Sequence, residues 1–576
     1  MGAALDQGGL ASDPDVDGSQ DLISGRDWER MYTRKIRFVP RFVALGLAGA
    51  LWLTGCASSS GGTAGSDSPT SSGAAGFVGA RDTGERVDGG VLTFGSYSFP
   101  SSLDPARTQA AGSTGGTEMA AIYDTLVRSD STSGGFVPQL AKTLSNNSDF
   151  TSYTVTLADG LTFSDGSPLD AEAVKWSIDR FVAGKGDVSQ TWLNIVDRIE
   201  TPDATTVEFI LERPWSQFPA LLSLGPGMIV ARSSGGEAGS VSGTGDGAFT
   251  PIGAGPFTLA KFAPHEELVL AARTDYQGGK PSLDTLRFVP TSGAQSQYES
   301  LKSGQIDMTY ILRDEAVIKQ ALDDGYSGYL SPTGQNGIGT INNREGKPGA
   351  DVRIRQAIAS GVDPAAVNTR ANNGLGTASS ELVPRTSRWY NNTAGIPFDP
   401  AKAKALLDQA KSDGYDGKLR YLTTSEPSQQ ATALTVQASL NAIGFDVTID
   451  YATDVTDLVR RVYRDHDFDM TRGGAPVGEE APYLNVYNSM ASDSKNNPSG
   501  FADPEMDALI TAVQTASTDD AVREAISRVQ EYANVTVPYV IWGPASVLTA
   551  WDGNIHGVVR TITDIMFFGD AWMSPA

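Results

Sequence analysis

Tyr153–Arg180 reads YTVTLADGLTFSDGSPLDAEAVKWSIDR, and its periodicity changes halfway along. Tyr153, Val155 and Leu157 alternate with Thr154 and Thr156, the period of two expected of a strand with one buried face. Asp159-Gly160 is a turn signal, and Leu161 and Phe163 beyond it predict the return strand of a hairpin. Asp170 then supplies an N-capping side chain. Ala173, Val174, Trp176, Ser177, Ile178 and Phe181 follow at spacings that bury one face of a helix.

The same alternation of strands and helices runs outward in both directions. Val91–Phe94 and Thr206–Leu211 read as strands, and Pro256–Leu259 with Leu268–Leu270 reads as a hairpin. Val352–Gly361 reads as a helix. Asp399-Pro400 places a cap before a proline at the first helical position, with Ala403, Leu406, Leu407 and Ala410 on one face. Residues 429–442, 504–513 and 519–533 give further helices, with strands at Phe445–Ile449 and Val537–Ile541 between them. Mixed elements over 576 residues predict an α/β protein of several lobes. Ser233–Gly247 is a low-complexity surface loop with no chemistry assigned to it.

Composition narrows the function. Lys plus Arg total 44 against 68 Asp plus Glu, a net charge of −24. Such a surface repels phosphate backbones and argues against nucleic-acid binding. Cys56 is the one cysteine, so no intramolecular disulfide can form. His265, His466 and His556 are far apart, and no HExxH or CxxC occurs, so neither a metal site nor a cofactor is expected.

The N-terminal region is an address. Residues 1–30 are polar and acidic, and are expected to be an extension or a mis-assigned start ahead of Met31. Arg34, Lys35, Arg37 and Arg41 form a basic flank to Phe42–Leu53, a 12-residue apolar run of signal-peptide length. Leu53-Thr54-Gly55-Cys56 resembles the bacterial lipobox. The resemblance implies cleavage before Cys56, with residues 31–55 as signal peptide, and a diacylglyceryl group on its thiol; two acyl chains suffice for stable anchoring. Residues 56–90, rich in Ser, Gly, Ala and Thr, read as a flexible tether.

From about Gly89 to Trp572 the chain resembles the extracytoplasmic solute-binding proteins of family 5, which serve peptide, opine and nickel importers. The landmarks are Ser101-Ser102-Leu103-Asp104-Pro105, Ile122-Tyr123-Asp124-Thr125-Leu126, the run from Tyr153 to Arg180, Pro251–Phe257, Asp275–Pro281, Ser303–Asp307, Asp351–Ala357 and Ser492–Asn497. Most of them set turns and helix caps. The resemblance implies a type II periplasmic-binding-protein fold, with two lobes closing about a hinge and an extra domain. It places lobe I at 91–118, 246–338 and 535–576, the extra domain at 119–245 and lobe III at 339–534. It also implies a monomer that captures an oligopeptide-like solute, passes it to the permease subunits of an ABC importer, and performs no catalysis.

The resemblance implies two ligand-facing segments. In Arg107–Ser113, Gln109 and Ala111 match ligand-facing positions. In Phe468–Pro482, Arg472 and Gly474 match their counterparts, but Ala475 stands where a Trp is usual and Gly478 where an Asp pairs with the ligand's α-ammonium. A desolvated ammonium needs an anion, so either Glu479 or Glu480 supplies it or the solute lacks a free amino terminus. Blocked peptides, sugars, opines and metal chelates therefore stay open. Trp389, Tyr390, Tyr483 and Tyr487, with Trp192 from the other side, are candidate cleft aromatics, or core. A secreted hydrolase is the rival of another class, although no GxSxG or nucleophile–base arrangement is present. If Cys56 is the acylation site, Cys56→Ala abolishes lipid labelling and releases the protein from the membrane fraction; unchanged labelling rejects the assignment.

Overall fold

The computed structural model describes residues 76–79, 84–130, 133–235, 249–291, 293–474 and 477–575. All described residues belong to the compact unit Thr70–Ala576. The expected signal peptide, Cys56, most of the tether, Ala475, Pro476 and most of the Ser233–Gly247 loop lie outside the described residues. Among the described residues no helix is long and apolar enough to cross a membrane.

Two long strands, Ser327–Ile341 and Tyr539–Trp551, run antiparallel to one another and form the middle of an eleven-stranded sheet. At one end, residues 328–330 pair with Gly76–Val78, and residues 547–551 pair with Met308–Leu312. Val91–Ser96, Thr285–Pro290, Glu267–Ala272 and Phe257–Ala263 continue the sheet on that side. At the other end, residues 337–341 pair with Met470–Gly474, which leads to Lys418–Thr423 and Asp446–Tyr451. The register between the long strands shifts midway: Ser331 faces Val547, while Gln335 faces Ala545. Such a bulge bends and twists a strand, so the sheet is two half-sheets joined only through this pair.

Ser327–Ile341 has the sequence of a loop, with a proline and four glycines. Two of those glycines show why it is nevertheless a strand. A Cβ on Gly328 would sit 2.2 Å from the Thr549 carbonyl oxygen, and one on Gly339 would sit 2.3 Å from the Met470 methyl group. Close backbone approach selects glycine here, at the expense of strand propensity.

A separate four-stranded sheet is built from Ala141–Asn146, Ser152–Leu157, Thr206–Leu211 and Val196–Glu200, in that spatial order. The expected strand at Tyr153–Leu157 is present, but not the hairpin after it. Its partners are Ala141–Asn146 and Thr206–Leu211. Leu161 and Phe163 are buried in the core, and Thr162 makes only an isolated bridge to Pro168. The following helix forms at Ala171–Ala183, with the Asp170 side chain accepting the Ala173 N–H at 2.8 Å. The hairpin of Phe257–Ala263 and Glu267–Ala272 forms as expected. So do helices at Val352–Gly361, Pro400–Ser412, Pro427–Ala442, Pro504–Thr515 and Asp519–Thr536. The α/β class is therefore as expected.

Helix Gly116–Tyr123, which packs near strand Phe257–Ala263, buries Glu118. Ser96 Oγ donates to Glu118 Oε1 at 2.6 Å, and Oε2 has no partner among the described residues. Desolvation pushes this carboxyl up to about 7 against the Ser96 bond. A folded-state value above the unfolded one contributes stability below the unfolded pKa and loses it as pH rises through the folded value. Between pH 5 and pH 8.5 the wild type should lose on the order of 1–3 kcal/mol that Glu118→Gln does not. Urea denaturation at the two pH values measures the difference, and parallel losses in both proteins reject it.

Candidate functional site

The segment after Leu103-Asp104-Pro105 is held by a buried ion pair. Arg180, on helix Ala171–Ala183, donates to both Asp104 oxygens, at 2.9 and 2.7 Å. Asp104 is fully buried and also accepts the Ala106 N–H at 3.0 Å. One carboxylate thus anchors the start of the 106–114 turn to the helix beside the four-stranded sheet. Asp187 anchors its middle, accepting the Ala110 N–H at 3.3 Å and the Val188 N–H at 2.9 Å. Desolvation pushes the half-buried Asp187 carboxyl up to about 6, against these two N–H donors.

The 106–114 turn forms one wall of a cavity of about 1960 Å³. Residues 329–331, 338 and 340 of one long strand, Tyr539 and Trp551 of the other, the end of strand Met308–Leu312, residues Arg472–Gly474, and parts of 478–489 and 555–564 complete it. The cavity therefore lies where the two half-sheets meet. It far exceeds the roughly 300–1,000 Å³ of ordinary small-ligand pockets.

One feature of the wall is an open strand edge. Met470–Gly474 pairs along its full length with residues 337–341. On its other side only Met470 and Thr471 pair, with Tyr421 and Leu422. Arg472, Gly473 and Gly474 line the cavity, and among the described residues no strand covers their second edge.

Gln109, Ala111, Arg472, Gly474, Glu479 and Glu480 are all brought to this one cavity. Trp389 and Tyr487 are not among its lining residues. The Trp389 indole is fully buried and donates to the Glu479 carbonyl at 3.0 Å. Tyr487 is buried and accepts from Asn194 Nδ2 at 2.9 Å. Tyr483 stacks edge-on with Trp215, its ring centroid 5.2 Å away, and Trp192 packs on Phe209 and Phe218. These aromatics support the wall from behind, because each has apolar neighbours or a fixed polar partner.

Both glutamates have protein partners. Arg560 Nη1 donates to Glu480 Oε1 at 2.8 Å, and its Nε donates to Asp564 at 2.7 Å. Glu479 Oε2 accepts the Arg388 N–H at 3.2 Å, and desolvation raises its carboxyl against the Ser387 and Arg388 donors. The Gly478 position is filled by a neighbour: its N–H donates to Asn485 Oδ1 at 3.0 Å, and a Cβ on Gly478 would lie 2.2 Å from that oxygen. A side chain at Gly478 would require the Asn485 amide to move and give up this bond.

Sequence reasoning missed Asp187, Arg313 and Tyr463, which also line the cavity. Tyr463 lies on a π-helical turn, Arg460–Arg464, a feature often found at functional sites. No motif marks any of the three. The one local signal is structural: Arg313 has φ of 57°, a left-handed backbone that non-glycine residues rarely adopt. Among the described residues no cluster of His, Cys, Asp and Glu could hold a metal ion.

Residues 135–497 match the profile of bacterial extracellular solute-binding proteins, family 5 Middle. The chain belongs to this family. A probable D,D-dipeptide-binding periplasmic protein of Escherichia coli is 27% identical over 446 residues, covering 75% of this chain and 84% of the relative. Two solved structures share the family's fold. The periplasmic binding protein DppA of Helicobacter pylori, in complex with the peptide STSA, superposes with a TM-score of 0.72 at 22% identity, over 85% of this chain and 99% of that one. NikA of Brucella suis, in complex with Fe(III)-EDTA, superposes with a TM-score of 0.67 at 22% identity, over 84% of this chain and 100% of that one. The fold is thus that of the type II periplasmic binding proteins, as expected.

The Asp104–Arg180 pair generates a prediction. Removing one partner of a buried ion pair leaves the other charge uncompensated, at a cost of about 3–5 kcal/mol. Asp104→Asn is expected to lower stability by an amount in that range, measured by chemical denaturation. A change below about 1 kcal/mol, the scale of an exposed pair, rejects the anchoring role.

Proposed function

We propose that this protein is the capture subunit of an ABC importer for a peptide-like solute, and that it binds by closing its two half-sheets over the ligand. The observation that carries this reading is the open edge of Arg472–Gly474 on the wall of the large cavity. An extended peptide added to such an edge gains main-chain hydrogen bonds whatever its side chains are. The remaining volume accepts varied side chains with water. The peptide-binding relatives support the same class of solute.

In this reading Gln109, Ala111, Arg472 and Gly474 face the solute, and Glu479 and Glu480 shape the wall through their protein partners. Trp389 and Tyr487 act indirectly, by holding that wall in place. Lobe I comprises 91–118, 246–338 and 535–576, the extra domain 119–245, and lobe III 339–534. The bulge between Ser331 and Gln335 is the hinge. Closure is a two-state motion biased by contacts that only the closed form makes. Residues 56–90 tether the body to the outer face of the membrane through an acylated Cys56, and the protein acts as a monomer without catalysis.

The test is retention without turnover. The purified protein is incubated with a defined tri- to pentapeptide library, washed, denatured and extracted. Intact peptides at up to one equivalent are expected. Cleaved products would make the protein a hydrolase, and an empty extract would remove peptides from its solutes.

A further inference from the structure

Between Ala57 and Gly90 the sequence is mostly Ser, Gly, Ala and Thr, and only Phe77, Val78 and Val87 are large apolar residues. A flexible spacer has no use for such residues. Two of them have a place in the fold. Gly76–Val78 is a strand antiparallel to residues 328–330 of Ser327–Ile341, with Phe77 opposite Tyr329. Its two faces differ, as the alternation of a strand allows. Val78 packs against the core cluster that holds Ile311, Leu330 and Leu548. Phe77 lies on the cavity wall.

The wall is aromatic at this point. The Phe77 ring stands edge-on to Tyr329, with centroids 5.7 Å apart, and lies 6.1 Å from Trp551. Trp551 is buried, whereas Phe77 and Tyr329 are half-buried and line the cavity.

Strand pairing puts this patch in line with the open edge at Arg472–Gly474. Tyr539–Trp551 takes one side of Ser327–Ile341 at both ends. Met470–Gly474 and Gly76–Val78 therefore share its other side, one behind the other, and both run antiparallel to it. Gly474 lies opposite Gly337 and Gly76 opposite Leu330, seven positions apart on one strand, a separation of at most about 24 Å. Among the described residues no strand covers the outer edge of Gly76–Val78. An extended chain that adds to the first edge and continues past Gly474 is thus directed at Phe77. It gains main-chain hydrogen bonds at both edges. A large apolar side chain set against Phe77 and Tyr329 leaves water, which is worth up to about tenfold in affinity. Edge-to-face contact favours an aromatic one.

We propose that Gly76–Val78, at the end of the tether, is a second subsite for an extended peptide of about eight residues or more, with Phe77 and Tyr329 seating one of its large apolar side chains. The proposal rests on the peptide-capture reading and sets the length and one side chain of the solute. The tether then forms part of the pocket.

The purified full-length chain, Phe77→Ser and Phe77→Leu are each saturated with one defined library of tri- to dodecapeptides, washed and extracted, and the retained peptides are sequenced by mass spectrometry. The wild type should retain peptides of about eight to twelve residues, with aromatic side chains enriched about fivefold or more at one position. Phe77→Ser should bring that enrichment below about twofold and shift retention to shorter peptides, with the tripeptide yield unchanged. A substitution that merely loosened the fold would lower the tripeptide yield as well. Phe77→Leu should keep an enriched position but favour aliphatic over aromatic residues there. The same lengths and the same enrichment in wild type and Phe77→Ser overturn the proposal and leave peptide capture standing. Wild-type retention of short peptides alone, or of long peptides with no enriched position, does the same. An empty wild-type extract removes peptide capture, and this subsite with it. If Phe77→Ser retains nothing, Phe77→Leu decides, and an unchanged aromatic profile in that variant overturns the proposal.

Discussion

The hydrogen-bonded pair of Ser327–Ile341 and Tyr539–Trp551 governs the arrangement of the molecule. Every other strand of the large sheet attaches toward one end of this pair or the other. The ladder loses register between Ser331 and Gln335, so the two ends need not stay coplanar. A cavity at that discontinuity follows directly, because two twisted half-sheets that diverge from a shared seam leave a space between them. Solute capture by such a fold requires little more than walls that change separation when the seam flexes.

The second recurring theme is how polar groups are handled in the walls. Asp104 and Arg180 neutralise each other out of water and fix the turn that carries Gln109 and Ala111. Arg560, Glu480, Asp564 and Ser331 form another closed network, with Ser331 Oγ donating to Asp564 at 2.7 Å. Buried polar groups satisfied in this way rigidify their surroundings.

Much of the fold was legible in the sequence. Capped helices such as Pro400–Ser412 and Pro504–Thr515 announce themselves through Asp-Pro at the N-terminus, where the carboxylate accepts first-turn N–H groups. The longest strand was not legible: Ser327–Ile341 trades β-propensity for close packing against Thr549 and Met470, a tertiary constraint with no local signature. The return strand expected at Leu161–Phe163 failed for the converse reason. Its alternation is real, but both side chains are claimed by the core, and longer-range partners pair with Ser152–Leu157 instead. In the site, the family resemblance picked out Gln109, Ala111, Arg472 and Gly474, and the fold brings all four to one cavity. The resemblance could not separate cavity wall from packing for Trp389 and Tyr487, since a buried aromatic reads the same in either place. Nor could it see Arg313, whose distinction is its conformation and the company it keeps.

The interleaving of the large sheet has a consequence for how the chain reaches its native state. Tyr539–Trp551 is a central strand, yet it follows in sequence every strand with which it pairs: Met308–Leu312 lies more than two hundred residues earlier, and Ser327–Ile341 nearly as far. During synthesis the middle of the sheet stays vacant until residue 551 is available, whereas the four-stranded sheet of residues 141–211 is complete long before. Non-local pairings of this kind form slowly. The nascent chain therefore spends its elongation with the large core unclosed, a state in which it can still be threaded through a translocation channel.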